Sequence, residues 1–167
     1  MIRPGDVYGP GSVPWVERPL TLMRRHTFAL PDGGRGIINH VYVDNLIDGI
    51  FLAVEREKIG ETYAITDGVG STCRDYFGAL ARAAGAPRPI AIPAPLLRAV
   101  ASTRAQLLRL FGRTPDMGAS SVSYLLRPGR YSIAKARREL GYEPAVDLDE
   151  GMRRVKASLD RGAGQLR

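Results

Sequence analysis

Cysteine and histidine are scarce in this chain, and each scarcity closes a class of chemistry. Cys73 is the only cysteine, which excludes an intrachain disulfide and a zinc site built on cysteines. With no histidine placed beside it by the sequence, Cys73 reads as a small buried hydrophobe of a helix rather than a nucleophile. The two histidines, His26 and His40, are too few and too far apart to announce a metal centre, and His40 reads as a structural residue at the start of a strand. No uninterrupted apolar run approaches the roughly 18 residues of a membrane span. The N-terminus lacks the basic-then-apolar order of a signal peptide, so a cytoplasmic location is expected. A full Gly-x-Gly-x-x-Gly fingerprint is missing too. The triplets at Gly9, Gly34, Gly68 and Gly162 have no third glycine in place, and none forms the glycine-rich turn into a helix that cradles a pyrophosphate.

What remains describes an ordinary globular chain. Its 167 residues are 44% hydrophobic and 25% charged, enough for one cored domain. Residues 1–160 are expected to form a single body and 161–167 a fraying tail. The net charge of +7 is uneven: residues 1–81 hold 8 basic and 10 acidic side chains, residues 82–167 hold 16 and 7. Those arginines are scattered over several elements with few aromatics among them, which argues for a solvated basic face and against a nucleic-acid partner.

Periodicity and capping residues predict four helices. Asp44 is expected to cap one that turns Leu46, Ile47, Ile50, Phe51 and Val54 inward. Thr72 and Asp75 resemble a capping box opening a helix with Cys73, Tyr76, Phe77, Leu80 and Ala84 inward, ended by Gly85 and Pro87. Ser132 can cap a short helix closed by Gly141. Asp147 and Glu150 open a last helix that buries Leu148, Met152, Val155 and Leu159. The stretch Pro95–Phe111 is helical in pattern, with Leu97, Val100, Leu107, Leu108 and Phe111 on one side; core packing, a pocket wall and a membrane surface are all open to it. Strands are predicted at Gly36–Val43, Glu61–Thr66 and Pro89–Pro93, with a stump at Met1–Arg3.

One apparent catalytic motif misleads. Tyr131-Ser-Ile-Ala-Lys135 has the spacing that places a phenol and an ammonium on one helix face, where the lysine lowers the tyrosine pKa for proton exchange with a hydroxyl. With Ser132 as the cap, Tyr131 falls outside the helix and away from Lys135.

The N-terminal stretch Arg3-Pro-Gly-Asp-Val-Tyr-Gly-Pro10 reads as a strand end running into a Pro/Gly loop. With Val41-Tyr-Val-Asp-Asn-Leu46, Gly60-Glu-Thr-Tyr-Ala-Ile-Thr-Asp67 and the closing Ser132 to Pro144 segment, it resembles, in order and over nearly the whole chain, the C-terminal half of the extended short-chain dehydrogenases, the NAD(P)-dependent epimerase/dehydratase family. Asn39-His-Val-Tyr-Val-Asp-Asn-Leu46 is most similar to the 3β-hydroxysteroid dehydrogenase-like branch. The resemblance implies an α/β fold: a remnant of a doubly wound Rossmann-like sheet with a small, mostly helical substrate lobe. It implies NAD or NADP as cofactor, with the glycine loop and the catalytic Tyr and Lys supplied by an N-terminal nucleotide-binding half that this sequence lacks. No catalytic residue and no metal ligand is therefore expected here.

Carried over onto this chain, Pro4, Gly5, Asp6 and Val7 would lie against the nicotinamide, their backbone groups contacting its carboxamide. Asp6 and Tyr8 would face the substrate, Asn39, His40 and Tyr42 would sit near the pocket, and Trp15 and Arg18 would belong to a mobile lid. Nucleotide-sugar epimerases usually carry an arginine before the strand at Val41; Ile38 holds that place, and Arg35 could replace it only if the loop shifts. The resemblance thus implies the substrate-binding part of an oxidoreductase or epimerase for a small or sterol-like hydroxy or keto substrate, inactive in isolation. A nucleotide-sugar epimerase fragment and a non-catalytic ligand-binding or interaction module are the alternatives. Exposed strand edges and apolar faces would make the isolated chain self-associate or form a homo-oligomer.

Overall fold

The computed structural model describes residues 1–57, 59–110, 112 and 119–164. Strand pairing runs in four short ladders rather than one sheet. β1 (Ile2–Pro4) pairs in parallel with β6 (Tyr63–Ile65), Ile2 opposite Tyr63. β2 (Asp6–Tyr8) pairs in parallel with β5 (His40–Tyr42), Asp6 opposite His40. β3 (Ala29–Pro31) runs parallel to β8 (Ile90–Ile92), and β4 (Ile37–Ile38) antiparallel to β7 (Ser71–Thr72). Parallel pairs between strands so far apart in sequence require crossover connections, and helices supply them.

The helices are α1 (Arg18–Arg24), α2 (Val43–Glu55), α3 (Cys73–Ala83), α4 (Ala94–Leu110), α5 (Ala119–Tyr124), α6 (Ala134–Leu140) and α7 (Leu148–Gly164). α3 begins as its sequence dictates: the Thr72 hydroxyl accepts from the Asp75 amide at 3.1 Å, and Cys73, Tyr76, Phe77 and Leu80 are buried. The Asp147 carboxylate likewise accepts from the Glu150 amide at 2.9 Å at the start of α7. Gly141 closes α6 with φ +71°, the left-handed conformation that favours glycine. Two cores result. The larger gathers Tyr8, Val16, Leu20, Met23, Phe28, Tyr76 and Phe77 under α1, α3 and α7. The smaller sets Val41, Tyr63 and Ile65 against Leu140 and Tyr142 around α6.

Several expectations are corrected. Asp44 lies within the first turn of α2, after Tyr42 at the cap position, and makes an ion pair with Arg154 at 2.9 Å. The helix turns Asn45 and Gly49 inward, while Ile47, Ile50, Phe51 and Val54 are exposed, Phe51 at 60% and Val54 at 69%. The predicted strand Gly36–Val43 is broken at Asn39 into β4 and β5, and Val43 already belongs to α2. The Pro/Gly-rich start contains a second strand, β2, because Gly5 lets the chain turn closely past β5. A Cβ at Gly5 would strike the Asn39 carbonyl oxygen.

The cap of α6 shifts to Ile133, though the Ser132 hydroxyl still accepts from the Ala134 amide at 3.2 Å. α7 continues through Gly164, and 165–167 lie outside the described residues. In α4, Val100 is exposed and Leu97 half-buried; Phe111 and the side chains of Leu107 and Leu108 lie outside what is described. Among the described residues no helix is long and apolar enough to cross a membrane.

Candidate functional site

Two features meet at one tyrosine. The first is a buried polar cluster where β2, β5 and the segment after β6 come together. Asp67, 7% exposed, holds it together. Its carboxylate receives His40 Nδ1 at 2.8 Å, the Tyr42 amide at 2.9 Å and Asn45 Nδ2 at 2.7 Å. On the other side of its ring, His40 Nε2 meets Ser71 Oγ at 2.9 Å. Asn45, fully buried, also donates to the Val146 carbonyl at 2.7 Å and accepts from the amides of Ala145 and Val146. It therefore ties α2 to the segment entering α7.

Asp6 forms a neighbouring group. Its carboxylate accepts from the Asn39 amide at 3.1 Å and from the Tyr124 hydroxyl, with Arg127 Nη2 at 3.5 Å. Burial raises the Asp6 pKa above the usual carboxylate range, opposed by the Tyr124 hydrogen bond and the Arg127 charge. The Arg127 guanidinium stacks 3.3 Å above the Tyr124 ring, and its buried Nη2 makes no hydrogen bond among the described residues. Burial likewise raises the Tyr124 hydroxyl pKa, helped by the adjacent Asp6 carboxylate. Tyr124 is thus held as a neutral hydrogen-bond donor.

The second feature is an apolar cleft of about 350 Å³. Trp15, from the helical turn Val13–Glu17, and Arg18 and Leu22 of α1 form one wall. Phe28, directly before β3, and Phe77 of α3 form the floor. Ser120, Ser121 and Tyr124 of α5, with Leu125, close the other side. Trp15 stacks on Phe77 (ring centroids 6.5 Å apart, planes 23° apart) and lies 5.8 Å from the Tyr124 ring. The Tyr76 hydroxyl donates to the Trp15 carbonyl at 3.3 Å. Tyr124 therefore belongs to both features, with its ring in the cleft and its hydroxyl on Asp6.

The residues singled out from the sequence divide accordingly. Trp15 and Arg18 line the cleft from the helical turn Val13–Glu17 and the start of α1. Tyr8, Asn39, His40 and Tyr42 are 1–3% exposed and packed inside the molecule, not on the cleft wall. The Tyr8 ring meets His40, Tyr42 and Tyr76 edge-on, and its hydroxyl reaches the Asp147 carbonyl at 3.4 Å. Pro4 is exposed at the end of β1, Gly5 and Val7 are half-buried, and Asp6 is buried. The amides of Gly5 and Asp6 are already bonded to the carbonyls of Ile65 (2.9 Å) and Asn39 (2.7 Å), so neither is free for a carboxamide.

The Tyr131–Lys135 pair is absent as chemistry. Tyr131 precedes α6, and Lys135 binds Glu61 at 2.6 Å. Cys73 is buried and its thiol is pushed up to about 12 by that burial. Ile38, at the place of the epimerase arginine, is buried in the core, and Arg35 is exposed. Tyr124, Arg127, Phe28 and Phe77 escaped the sequence reading because their roles arise from contacts between elements distant in sequence, and no local pattern marks them. Asp67 had a signal: an acidic residue directly after a buried strand.

Gly68 and Gly70 run into α3 without a third glycine, and the Thr72 hydroxyl already accepts from the Asp75 amide at the start of that helix, so these residues make no pyrophosphate cradle there. No cluster of metal-ligating side chains occurs among the described residues.

No protein-family model matches this chain. It is 33% identical to a 2-alkyl-3-oxoalkanoate reductase of Stenotrophomonas maltophilia, over 94% of this chain and 50% of the relative. It is 27% identical to the decarboxylating sterol-4-alpha-carboxylate 3-dehydrogenase of Saccharomyces cerevisiae, over 96% of this chain and 49% of the relative. Among solved structures it is similar to gox2253, with a TM-score of 0.68 and 26% identity, covering 96% of this chain and 48% of that one. The chain spans about half the length of the curated relatives it matches. Over nearly its whole length the chain is thus similar to members of the short-chain dehydrogenase/reductase, or NAD-dependent epimerase/dehydratase, family, and its α/β architecture of short parallel strand pairs crossed by helices agrees with that likeness.

Proposed function

We propose that this chain is the substrate-binding part of an NAD(P)-dependent oxidoreductase acting on a hydroxy or keto compound with an apolar, sterol-like body. The observation that carries the proposal is the cleft: aromatic and aliphatic walls with few polar groups suit an apolar substrate. A nucleotide sugar finds nothing comparable, because buried Ile38 leaves no charge where its diphosphate would need one. The named substrates of the two curated relatives, an alkyl-substituted keto acid and a sterol carboxylate, fit the same description.

NAD(P), when bound, supplies the hydride acceptor or donor. Pro4, Gly5, Asp6 and Val7 would lie against the nicotinamide, with the exposed Pro4 and the half-buried Gly5 and Val7 offering surface there. The chain's own task is to bind and orient. Trp15, Phe28 and Phe77 hold the apolar body, and the Tyr124 ring completes that wall, fixed by its hydroxyl's bond to Asp6 and by Arg127. The pyrophosphate cradle and the general acid and base would come from a nucleotide-binding half. Two surfaces fit that partner: the open edge of β1, beside its parallel neighbour β6, and the exposed Ile47-Ile50-Phe51-Val54 face of α2. Without it, the same surfaces would drive self-association.

A chimaera joining this chain to the nucleotide-binding half of the 2-alkyl-3-oxoalkanoate reductase tests the reading. The chimaera should oxidise NADPH or NADH in the presence of apolar ketones, while calorimetry on the isolated chain should detect neither dinucleotide at millimolar concentration. Turnover of nucleotide sugars but not ketones, or tight dinucleotide binding by the chain alone, would overturn it.

A further inference from the structure

The cleft contains a charge that its apolar walls do not explain. Among the described residues that line it, Arg18 is the only charged one, and it is exposed. Arg18 makes no ion pair among the described residues, whereas Arg153 and Arg154 of α7 share Glu150 and Arg137 of α6 meets Glu143. Two hydroxyls, Ser120 and Ser121, complete the polar part of the lining. A guanidinium and two hydroxyls that line one cleft with aromatic walls have the chemistry to hold a carboxylate whose carbon body is buried.

We propose that the cleft binds amphipathic carboxylates, with the anionic group on Arg18 and the apolar body between Trp15, Phe28 and Phe77. This rests on the reading of the cleft as the substrate pocket and adds the charge of the substrate to it. A neutral sterol or alcohol would fill the same walls but leave Arg18 without a counter-ion. A cationic amphiphile would be repelled by Arg18.

Trp15, the chain's only tryptophan, lines the cleft and reports occupancy directly. Its fluorescence is titrated with dodecanoate, 1-dodecanol and dodecyltrimethylammonium, each below its micelle concentration, for the wild-type chain, Arg18→Gln and Arg18→Glu. Dodecanoate should bind the wild type more tightly than the alcohol by roughly three- to tenfold, the range expected of one partly exposed charge-assisted contact. That preference should shrink as salt is raised. Arg18→Gln should abolish the preference for the acid over the alcohol, and Arg18→Glu should transfer the preference to the ammonium. Binding of the alcohol by both variants would show that each folds.

Equal binding of acid and alcohol by the wild type, unaffected by either substitution, would overturn the carboxylate assignment and leave the apolar pocket standing. No fluorescence response to any of the three would overturn both the carboxylate assignment and the pocket on which it rests.

Discussion

Removing the Asp67 carboxylate should cost this chain much of its stability, and the outcome should depend on what replaces it. Asp67→Ala strands three buried donors: the Tyr42 amide, His40 Nδ1–H and one N–H of Asn45. Each buried donor left unpaired costs about 1–3 kcal/mol. The total is roughly 3–9 kcal/mol, against native stabilities of about 5–15 kcal/mol for a domain. Asp67→Asn should do far less damage. Its amide nitrogen can take the place facing His40, whose proton then moves to Nε2 and is donated to Ser71 Oγ. The amide oxygen keeps the Tyr42 and Asn45 donors. Only the charge assistance is lost, about 1–2 kcal/mol. Urea titrations followed by far-ultraviolet circular dichroism measure both changes. A loss below about 1 kcal/mol for Asp67→Ala, or an Asn variant as unstable as the Ala one, would refute this account of the cluster.

Three more outcomes follow from the same structure. Cys73 is buried and its thiol is pushed up to about 12 by that burial, so it should resist iodoacetamide near neutral pH in the native chain and react once urea unfolds it; labelling in native buffer at the rate of a free thiol would contradict the packing of α3. The folded-state pKa of Asp6 is raised mainly by burial, so ionisation is disfavoured in the fold. The stability advantage of Asp6→Asn over the wild type should therefore grow as pH rises from the ordinary carboxylate value of about 3.9 through the raised folded value, then level off; a difference independent of pH, read from melts at several pH values, would dismiss that burial effect. On α2, Phe51→Glu with Val54→Lys should reduce self-association in sedimentation velocity without lowering the melting temperature, because both side chains are exposed; unchanged association would move the contact elsewhere.

The sequence made some local features legible because the physics there is local. Thr72–Asp75 and Asp147–Glu150 capped their helices as their spacing suggested, since each cap needs only residues three apart. Ile47, Ile50, Phe51 and Val54 made a correct helix but a wrong inward face. Periodicity reports which residues share a side, and here the buried side carries Asn45 and Gly49, the latter packed against Ile65. β2 was hidden because Pro4, Gly5 and Gly9 look like a turn, whereas the strand between them is recruited by a partner more than thirty residues away. Trp15 and Arg18 were legible as candidates for a lid, whereas the stacking of Trp15 on Phe77 and its bond from Tyr76 depend on a helix, α3, whose place only the tertiary fold decides.

An empty apolar cleft tends to close, because its walls gain by burying one another. In this chain the aromatic walls are braced. The Tyr76 ring, fully buried, is edge-on to Tyr8 and Phe77, and its hydroxyl holds the Trp15 carbonyl at 3.3 Å. Trp15 is thereby stacked over Phe77 before any ligand arrives, so binding energy need not be spent on ordering that wall. Tyr76→Phe isolates this effect, since it deletes one hydroxyl and leaves the ring. Stability should fall by about 1 kcal/mol, the usual net worth of a hydrogen bond. Trp15 emission should shift to the red as the indole gains exposure, and an apolar ligand should bind more weakly than this loss of stability alone would require. If emission and affinity are unchanged while stability falls, the hydroxyl serves the core alone and the cleft is held open by the stacked rings themselves.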